Sequence, residues 1–233
     1  MENSKQGFLP LRHGVTLSKK QSPKTDEELR KMFDIPYASV VSSMQYAVQW
    51  TRPDVAFAFS VTSRYQACAG EAHWTAVKTI LKYLRRTKDM FLIYGGGEFI
   101  LEGYNDASFQ SDEDDAKSQS GFVFKMNSGV VAWKSFKQDT TADSTTEVEY
   151  IATSKQLRKQ AIVQVKEPRS HHRSKHILRR YHPLREMVGK GDVQMDRVTS
   201  AENMVDPLTK PLSQIAHAQH LGKMGLRNMS DWL

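Results

Sequence analysis

The chain has 233 residues and a formal net charge of +7, from 33 Lys and Arg against 26 Asp and Glu. This length permits one full domain, or a medium domain with a smaller companion. A hydrophobic content of 39% excludes a fully disordered chain. The single cysteine, Cys68, excludes an internal disulfide and a cysteine zinc cluster. Because the sequence contains neither an apolar run of about 18 residues nor a signal-peptide pattern, we expect an intracellular protein, cytoplasmic or nuclear, that does not cross a membrane.

The N-terminal third predicts a linker followed by helices. Residues 1–24 contain Gly and Pro but no periodic apolar pattern, which is typical of an extended linker. Residues 25–88 predict a small all-helical unit. Its expected helices begin at the capping box of Thr25, at Pro36, at Pro53 and at Glu71, and run to about Phe33, Trp50, Ala69 and Arg86, with Gly70 as the stop of the third.

Basic residues form two groups. In the fourth predicted helix, Lys78, Lys82 and Arg85 share one face beside an apolar stripe. Residues 155–190 form a denser basic segment, from which Lys175, Arg179 and Arg180 make a second candidate patch. Both groups suit a nucleic-acid backbone, where each neutralised phosphate releases a counterion. A solvated helix face or a disordered basic loop explains such a segment about equally well.

After residue 88 the pattern changes to strands. These are predicted at Met90–Tyr94, Phe99–Phe109, Gly121–Met126 and Val130–Lys134, followed by a helix from Ser144, a helix near Lys175–Val188, a strand near Asp192–Val198 and a helix near Gln214–Met224. The last three strands of the first group should form an antiparallel meander, because their connections are too short for crossovers. The acidic segment 112–115 predicts a solvated loop. This order indicates one mixed α/β layer.

Three acids are candidate metal ligands. Asp106 lies in an apolar strand, where an acid is unusual. Glu149 is rotated about 200° from Glu147 around its predicted helix, so that one can cap the helix while the other faces the sheet. Asp206 precedes a proline and could simply start a turn. Each acid alone has such a structural explanation, but together they could converge on Mg²⁺, and we expect Asp106 to point to the same end of the sheet as Glu149.

Several motifs, in one order from about Leu9 to Leu226, resemble a known family. Tyr37-Ala-Ser, Thr51-Arg-Pro-Asp-Val-Ala and His73-Trp-Thr-Ala-Val-Lys resemble the end of a copia-type retrotransposon reverse transcriptase. Gly103-Tyr-Asn-Asp-Ala, Lys117-Ser-Gln-Ser-Gly-Phe-Val-Phe and Ser144-Thr-Thr-Glu-Val-Glu-Tyr resemble the RNase H domain that follows it. Asn203-Met-Val-Asp-Pro-Leu-Thr-Lys-Pro resembles the C-terminal end of that domain. The family is the Pol polyprotein of LTR retrotransposons.

The resemblance implies an α/β fold and an activity. Residues 90–226 would form an incomplete RNase H-like mixed sheet with flanking helices, preceded at 25–88 by a helical reverse-transcriptase remnant. Asp106, Glu149 and Asp206 would be the catalytic, metal-binding acids, with Mg²⁺ as cofactor and an RNA–DNA hybrid or other nucleic acid as partner. The implied reaction is metal-assisted cleavage of RNA in such hybrids.

One departure from the family pattern affects the expected activity. The family places a Cys-Asp-Asn motif on a strand after the Glu149 helix, whereas the segment between Tyr150 and Lys166 contains no Asp or Glu. The domain is therefore expected to be truncated near residues 151–166, without one metal-binding aspartate. This predicts weak Mg²⁺ binding and weak or absent endoribonuclease activity. The alternatives are a non-catalytic nucleic-acid-binding remnant and an inert product of a decayed element.

Overall fold

The computed structural model describes residues 7–96, 100–164, 196, 198–199 and 202–229, with the backbone alone for 157–164. The predicted α/β class is confirmed. The helices are α1 Asp26–Phe33, α2 Tyr37–Trp50, α3 Ala56–Thr62, α4 Glu71–Arg86, α5 Thr145–Gln164 and α6 Gln214–Lys223. The strands are β1 Met90–Leu92, β2 Glu102–Ser108, β3 Gln119–Met126, β4 Gly129–Lys137 and β5 Leu226–Asn228.

The helix starts follow the capping chemistry of the sequence. Thr25 Oγ1 accepts a hydrogen bond from the Glu28 amide at 3.3 Å, and Glu28 Oε2 accepts one from the Thr25 amide at 3.2 Å. This reciprocal pair satisfies two donors at the start of α1. Of the apolar stripe predicted on α4, which comprises Trp74, Val77, Leu81 and Leu84, only Val77 is fully buried and the other three are partly buried. Ile80 and Tyr83, which the stripe did not include, are also buried on this side of the helix.

The third predicted helix is shorter than expected. Instead of running to about Ala69, α3 ends at Thr62, where the Thr62 hydroxyl donates to the Ala58 carbonyl at 2.8 Å. Such bonds from side chain to backbone compete with helix continuation. Gly70 does not end a helix but precedes α4, and its amide donates to His73 Nδ1 at 2.9 Å. A Cβ at Gly70 would lie 2.0 Å from the Gln21 carbonyl oxygen, which explains the glycine.

The predicted meander is confirmed. Strands β2, β3 and β4 form an antiparallel sheet in that order, with Asp106 opposite Gly121 and Gly121 opposite Ser135. Helix α5 packs on one face of this sheet. The other face lies against the helical unit and the segment 204–208, since Val123 and Val130 share one apolar core with residues of α2 to α4 and with Val205 and Leu208.

The described part of the predicted linker packs against the fold. Residues 7–24 contain little regular structure beyond a short 3-10 turn at Lys19–Gln21. Leu11 and Leu17 nevertheless belong to the apolar core, and the Leu17 carbonyl accepts a hydrogen bond from the Tyr65 hydroxyl at 2.7 Å. Two isolated leucines give no periodic apolar pattern, so the sequence predicted a linker here and not the burial of Leu11 and Leu17.

The acidic segment 112–115 is not simply a solvated loop, as was predicted. Asp112 is 7% exposed and forms ion pairs with Arg64 at 2.5 Å and Lys137 at 3.0 Å. It therefore joins the 3-10 turn Ser63–Tyr65, which follows α3, to β4. The partners are 48 and 25 positions away in sequence, beyond the reach of a local pattern.

A second, two-stranded sheet was not predicted in full. Strand β5 pairs antiparallel with β1, with Phe91 opposite Arg227. Three residues are too few to give a strand pattern in the sequence. The helix predicted near Lys175–Val188 lies outside the described residues, and the strand predicted near Asp192–Val198 lies mostly outside them. Of the helices described, none combines the length and apolar character required to cross a membrane.

Candidate functional site

Asp106 lies near the end of β2 on the face of the sheet opposite to α5. Its neighbour Asn105 points to α5, where its side-chain amide donates to Gln156 Oε1 at 2.7 Å. Successive side chains of a strand point to opposite faces. The Asp106 carboxylate therefore lies on the other face, where its Oδ2 accepts a hydrogen bond from the Thr209 hydroxyl.

The segment 203–210 is fastened to this face by several contacts. The Asn203 side-chain amide donates to the Asn105 carbonyl at 2.9 Å, and the Ser135 hydroxyl donates to the Leu208 carbonyl at 2.6 Å. Gly121 leaves room for it, since a Cβ there would lie 2.9 Å from atoms of Val205 and Leu208. This segment carries Asp206 to the same place as Asp106.

Asp206 begins a buried 3-10 turn, Asp206–Leu208, rather than an exposed one. The residue is 5% exposed, and its Oδ2 lies 2.9 Å from Lys210 Nζ. The Thr209 hydroxyl oxygen, which contacts Asp106, is also 3.2 Å from the Asp206 carbonyl oxygen. Thr209 thus links the two acids. Asp206 begins a turn, as its position before a proline allowed, and it also lies beside Asp106.

Glu149 is not brought to this pair. It lies on α5, its side chain is exposed, and α5 packs on the face of the sheet that Asp106 does not face. The face of α5 that meets β2 carries Thr153, whose hydroxyl lies 3.2 Å from Asn105 Oδ1. Asp106 was expected to point to the same end of the sheet as Glu149, but it points to the face opposite the one on which the Glu149 helix packs, which counts against the expectation.

The structure does not bring the three acids together into one Mg²⁺ centre. Within the described ranges, no three His, Cys, Asp or Glu side chains come close enough together to hold a metal ion. The negative charge of Asp206 is also balanced already by Lys210. Whether Asp106, Glu149 and Asp206 bind Mg²⁺ stays a prediction.

The first basic patch lies on the side of α4 away from its buried stripe. Lys78 Nζ is 6.0 Å from the centroid of the Trp74 ring. The Lys82 carbonyl accepts a hydrogen bond from the Gly7 amide at 3.4 Å, and Arg85 is exposed. The structure therefore places these three residues along one helix, as predicted. Lys175, Arg179 and Arg180 lie outside the described residues.

A buried ion pair explains the Thr51-Arg-Pro-Asp motif. Asp54 is 1% exposed and accepts hydrogen bonds from Arg52 Nε at 2.9 Å and Nη2 at 2.7 Å, and from the Tyr83 hydroxyl at 2.6 Å. Burial opposes the charged form of Asp54, but Arg52 and Tyr83 together bring the pKa of the carboxyl below its usual value. His217 of α6 packs edge-on against Tyr83, with 5.6 Å between ring centroids. The motif thus joins α4 and α6 through polar groups.

Several residues of the site were missed by sequence reasoning. Asn203, Thr209 and Lys210 all lie in the quoted C-terminal motif, but only Asp206 was assigned a role. The signal was present in the motif, since a hydroxyl and an ammonium group follow Asp206 three and four positions later.

Comparisons with known proteins identify relatives. The chain is 40% identical over 235 residues to the retrovirus-related Pol polyprotein from transposon TNT 1-94 of Nicotiana tabacum, a match that covers 90% of this chain and 18% of that protein. It is 30% identical over 217 residues to the Pol polyprotein from transposon RE2 of Arabidopsis thaliana, covering 82% of this chain and 15% of that protein.

A shorter relative matches over most of its own length. Secreted RxLR effector protein 161 of Plasmopara viticola is 41% identical over 124 residues, which is 53% of this chain and 87% of that protein. No protein-family model matches the chain. No solved structure matches it significantly.

The antiparallel sheet flanked by helices defines a small α/β protein of mixed architecture. The chain belongs to the family that these relatives share, and its homologues include retrovirus-related Pol polyproteins from plant transposons. It corresponds to a fragment of such a polyprotein and spans less than a fifth of the length of the tobacco protein.

Proposed function

We propose that the chain is a fragment of a copia-type Pol polyprotein that binds RNA–DNA hybrids. Residues 25–88 would be the end of the reverse transcriptase and residues 90–226 an incomplete RNase H-like domain. The observation that carries the proposal is the order of the parts: a three-stranded meander with Asp106 on its first strand, then α5, then a segment that returns Asp206 to Asp106. The homology to transposon Pol polyproteins supports the same assignment.

The hydrolytic activity of this domain is proposed to be weak or lost. Mg²⁺ is the cation that the resemblance implies. A two-metal site gathers about four positive charges and needs several carboxylates to hold them. The segment from Tyr150 to Lys166 supplies no acid, and Asp206 is paired with Lys210. Both observations support weak Mg²⁺ binding, and no hydrolytic step is assigned to these residues.

Cleavage of a labelled RNA–DNA hybrid in the presence of Mg²⁺ should stay near background. The Asp106→Asn variant should give the same background rate. The native chain has too few carboxylates near Asp106 to retain two Mg²⁺ ions, so the loss of one more changes nothing. The rate is measured by gel electrophoresis of the products. Robust cleavage by the native chain that Asp106→Asn abolishes would contradict the proposed loss of activity, while supporting the domain assignment.

Binding to the hybrid should depend on the two basic patches. Changing Lys78, Lys82 and Arg85 to Gln should weaken binding for all sequences, since these residues would contact phosphates rather than bases. The slope of log affinity against log salt should fall by about 3, at roughly 0.9 per lost phosphate contact. The same change at Lys175, Arg179 and Arg180 should act similarly. The measurement is fluorescence anisotropy of a labelled hybrid across a salt series.

A matched control removes the same charge elsewhere. Lys31, Lys117 and Lys125 lie outside both basic groups, and each forms an ion pair with a carboxylate, at 2.8, 3.5 and 3.7 Å. Their replacement by Gln should change the salt slope less than either patch variant. Unchanged affinity after both patch substitutions would exclude the patches, and absence of any salt-dependent binding by the native chain would favour the inert product.

A further inference from the structure

The Asp106–Asp206 region contains its own cation. Asp206 is 5% exposed, and an ionised carboxylate so far from water needs a counter-ion. Lys210 Nζ lies 2.9 Å from Asp206 Oδ2, and 38% of the lysine side chain is exposed. The ammonium therefore reaches the buried carboxylate from the solvent side.

The second acid is also satisfied from within the chain. The Thr209 hydroxyl donates to Asp106 Oδ2, and Thr209 is 1% exposed. Adjacent residues of one segment thus supply a donor to Asp106 and a positive charge to Asp206. Because Asn203 and Leu208 fasten the same segment to β2 and β4, the two partners are held in place by the fold.

We infer that Lys210 is the resident counter-ion of this acid pair, so that it positions Asp206 without a divalent cation and competes with Mg²⁺ for the site. The inference rests on the proposed function in one respect: it takes Asp106 and Asp206 to correspond to the metal-binding acids of an RNase H domain. Removing the ammonium leaves Asp206 buried beside Asp106 without this counter-ion. Mg²⁺ is commonly bound through one or two carboxylates and several waters, so it can then replace the missing charge.

Thermal unfolding of the full chain tests this inference. Lys210→Met keeps most of the apolar stem and should lower Tm by about 4 °C in NaCl, given the usual relation between stability and Tm for a chain of this size. Millimolar MgCl₂ at the same ionic strength should restore at least half of that loss. The native chain and the charge-preserving Lys210→Arg variant should shift by less than about 1 °C on the same exchange of salts.

Lys31→Met is the matched control, because Lys31 forms an i,i+4 pair with Glu27 at 2.8 Å in which both side chains are exposed. It should change neither Tm nor the response to Mg²⁺. A Lys210→Met variant that does not respond to Mg²⁺, or a native chain that Mg²⁺ stabilises as strongly as the variant, overturns the inference.

If Lys210→Met does not fold, calorimetric titration of the native chain decides the question. Saturable Mg²⁺ binding would overturn the inference, and its absence up to millimolar concentration would support it. None of these measurements uses nucleic acid, so a failure of the proposed hybrid binding is distinguishable from a failure here.

Discussion

Replacing Asp54 by Asn should lower the free energy of unfolding by about 3 kcal/mol, the lower end of what breaking a buried ion pair costs. The substitution keeps the shape of the side chain and removes its charge. Arg52, which is 6% exposed, would then keep a buried positive charge beside the carbonyl and hydroxyl oxygens of Thr87, at 3.2 and 2.6 Å, and beside the Tyr83 ring, whose centroid is 5.3 Å from its guanidinium carbon. None of these groups supplies the negative charge that Asp54 supplied.

The loss is measured by chemical denaturation followed by circular dichroism. Glu27→Gln is the matched control, because it breaks an ion pair with Lys31 whose carboxylate side chain is 78% exposed. Exposed pairs contribute about 0.5 kcal/mol or less, so this variant should unfold almost like the native chain. A loss below about 1 kcal/mol in Asp54→Asn would show that the pair does not hold the helical unit together as its burial indicates.

Local elements were predictable where a local chemical rule specifies them. Thr25 and Glu28 mark a helix start within four residues, and the apolar stripe around Val77 fixes which side of α4 is buried. The meander followed from short connections, one of which includes the Asn127-Ser-Gly turn. These features need only neighbours in sequence, so one sequence is enough to find them.

Long-range polar contacts were not predictable in the same way. Asp112 looks like any exposed acid until Arg64 and Lys137 meet it, and Asp54 looks like a turn residue until Tyr83 donates to it. No local pattern reports that these partners come together, because the fold makes the contact. The same limit applies to the candidate site, where Thr209 and Lys210 were visible as residues but not as partners of the acids.

The resemblance assigned the acids one by one, and the geometry separates them. Asp106 and Asp206 meet because the segment 203–210 crosses the face of the sheet to which Asp106 points. Glu149 lies on α5 at the other face. A strand alternates its side chains with period two, so the face of Asp106 is set once Asn105 is turned to Gln156. A motif match does not carry this information.

Buried histidines, His73 and His217 among them, should make the protein sensitive to mild acid. His73 is fully buried, its Nδ1 accepts a hydrogen bond from the Gly70 amide at 2.9 Å, and its Nε2 lies 3.1 Å from the Ser18 carbonyl oxygen. This geometry requires the neutral imidazole, since a proton on Nδ1 would displace the Gly70 bond. Burial lowers the pKa of His73 below its ordinary value of 6.5.

His217 acts in the same direction. Burial lowers the pKa of His217 from 6.5, against the opposing attraction of Asp54 and in line with the repulsion of Arg52. For both histidines the folded-state pKa lies below the unfolded value, so the unfolded chain binds more protons between the two. Their stability contribution is therefore complete above about pH 6.5 and is lost as the pH falls below it.

The expected result is a free energy of unfolding that falls by up to about 1.4 kcal/mol per pH unit for each histidine below pH 6.5. Asp54 and Asp115, whose pKa values are lowered below 3.8, lose their contributions only at more acidic pH, so the two windows separate. Denaturant titrations at a series of pH values measure the slope of the unfolding free energy against pH. The His73→Gln variant should reduce this slope by up to the amount that one bound proton contributes, about 1.4 kcal/mol per pH unit. His13→Gln is the matched control, since His13 is exposed and its Nδ1 lies 3.0 Å from the Pro211 carbonyl oxygen. A slope that changes as much in His13→Gln as in His73→Gln would show that the buried imidazole is not the group that senses the acid.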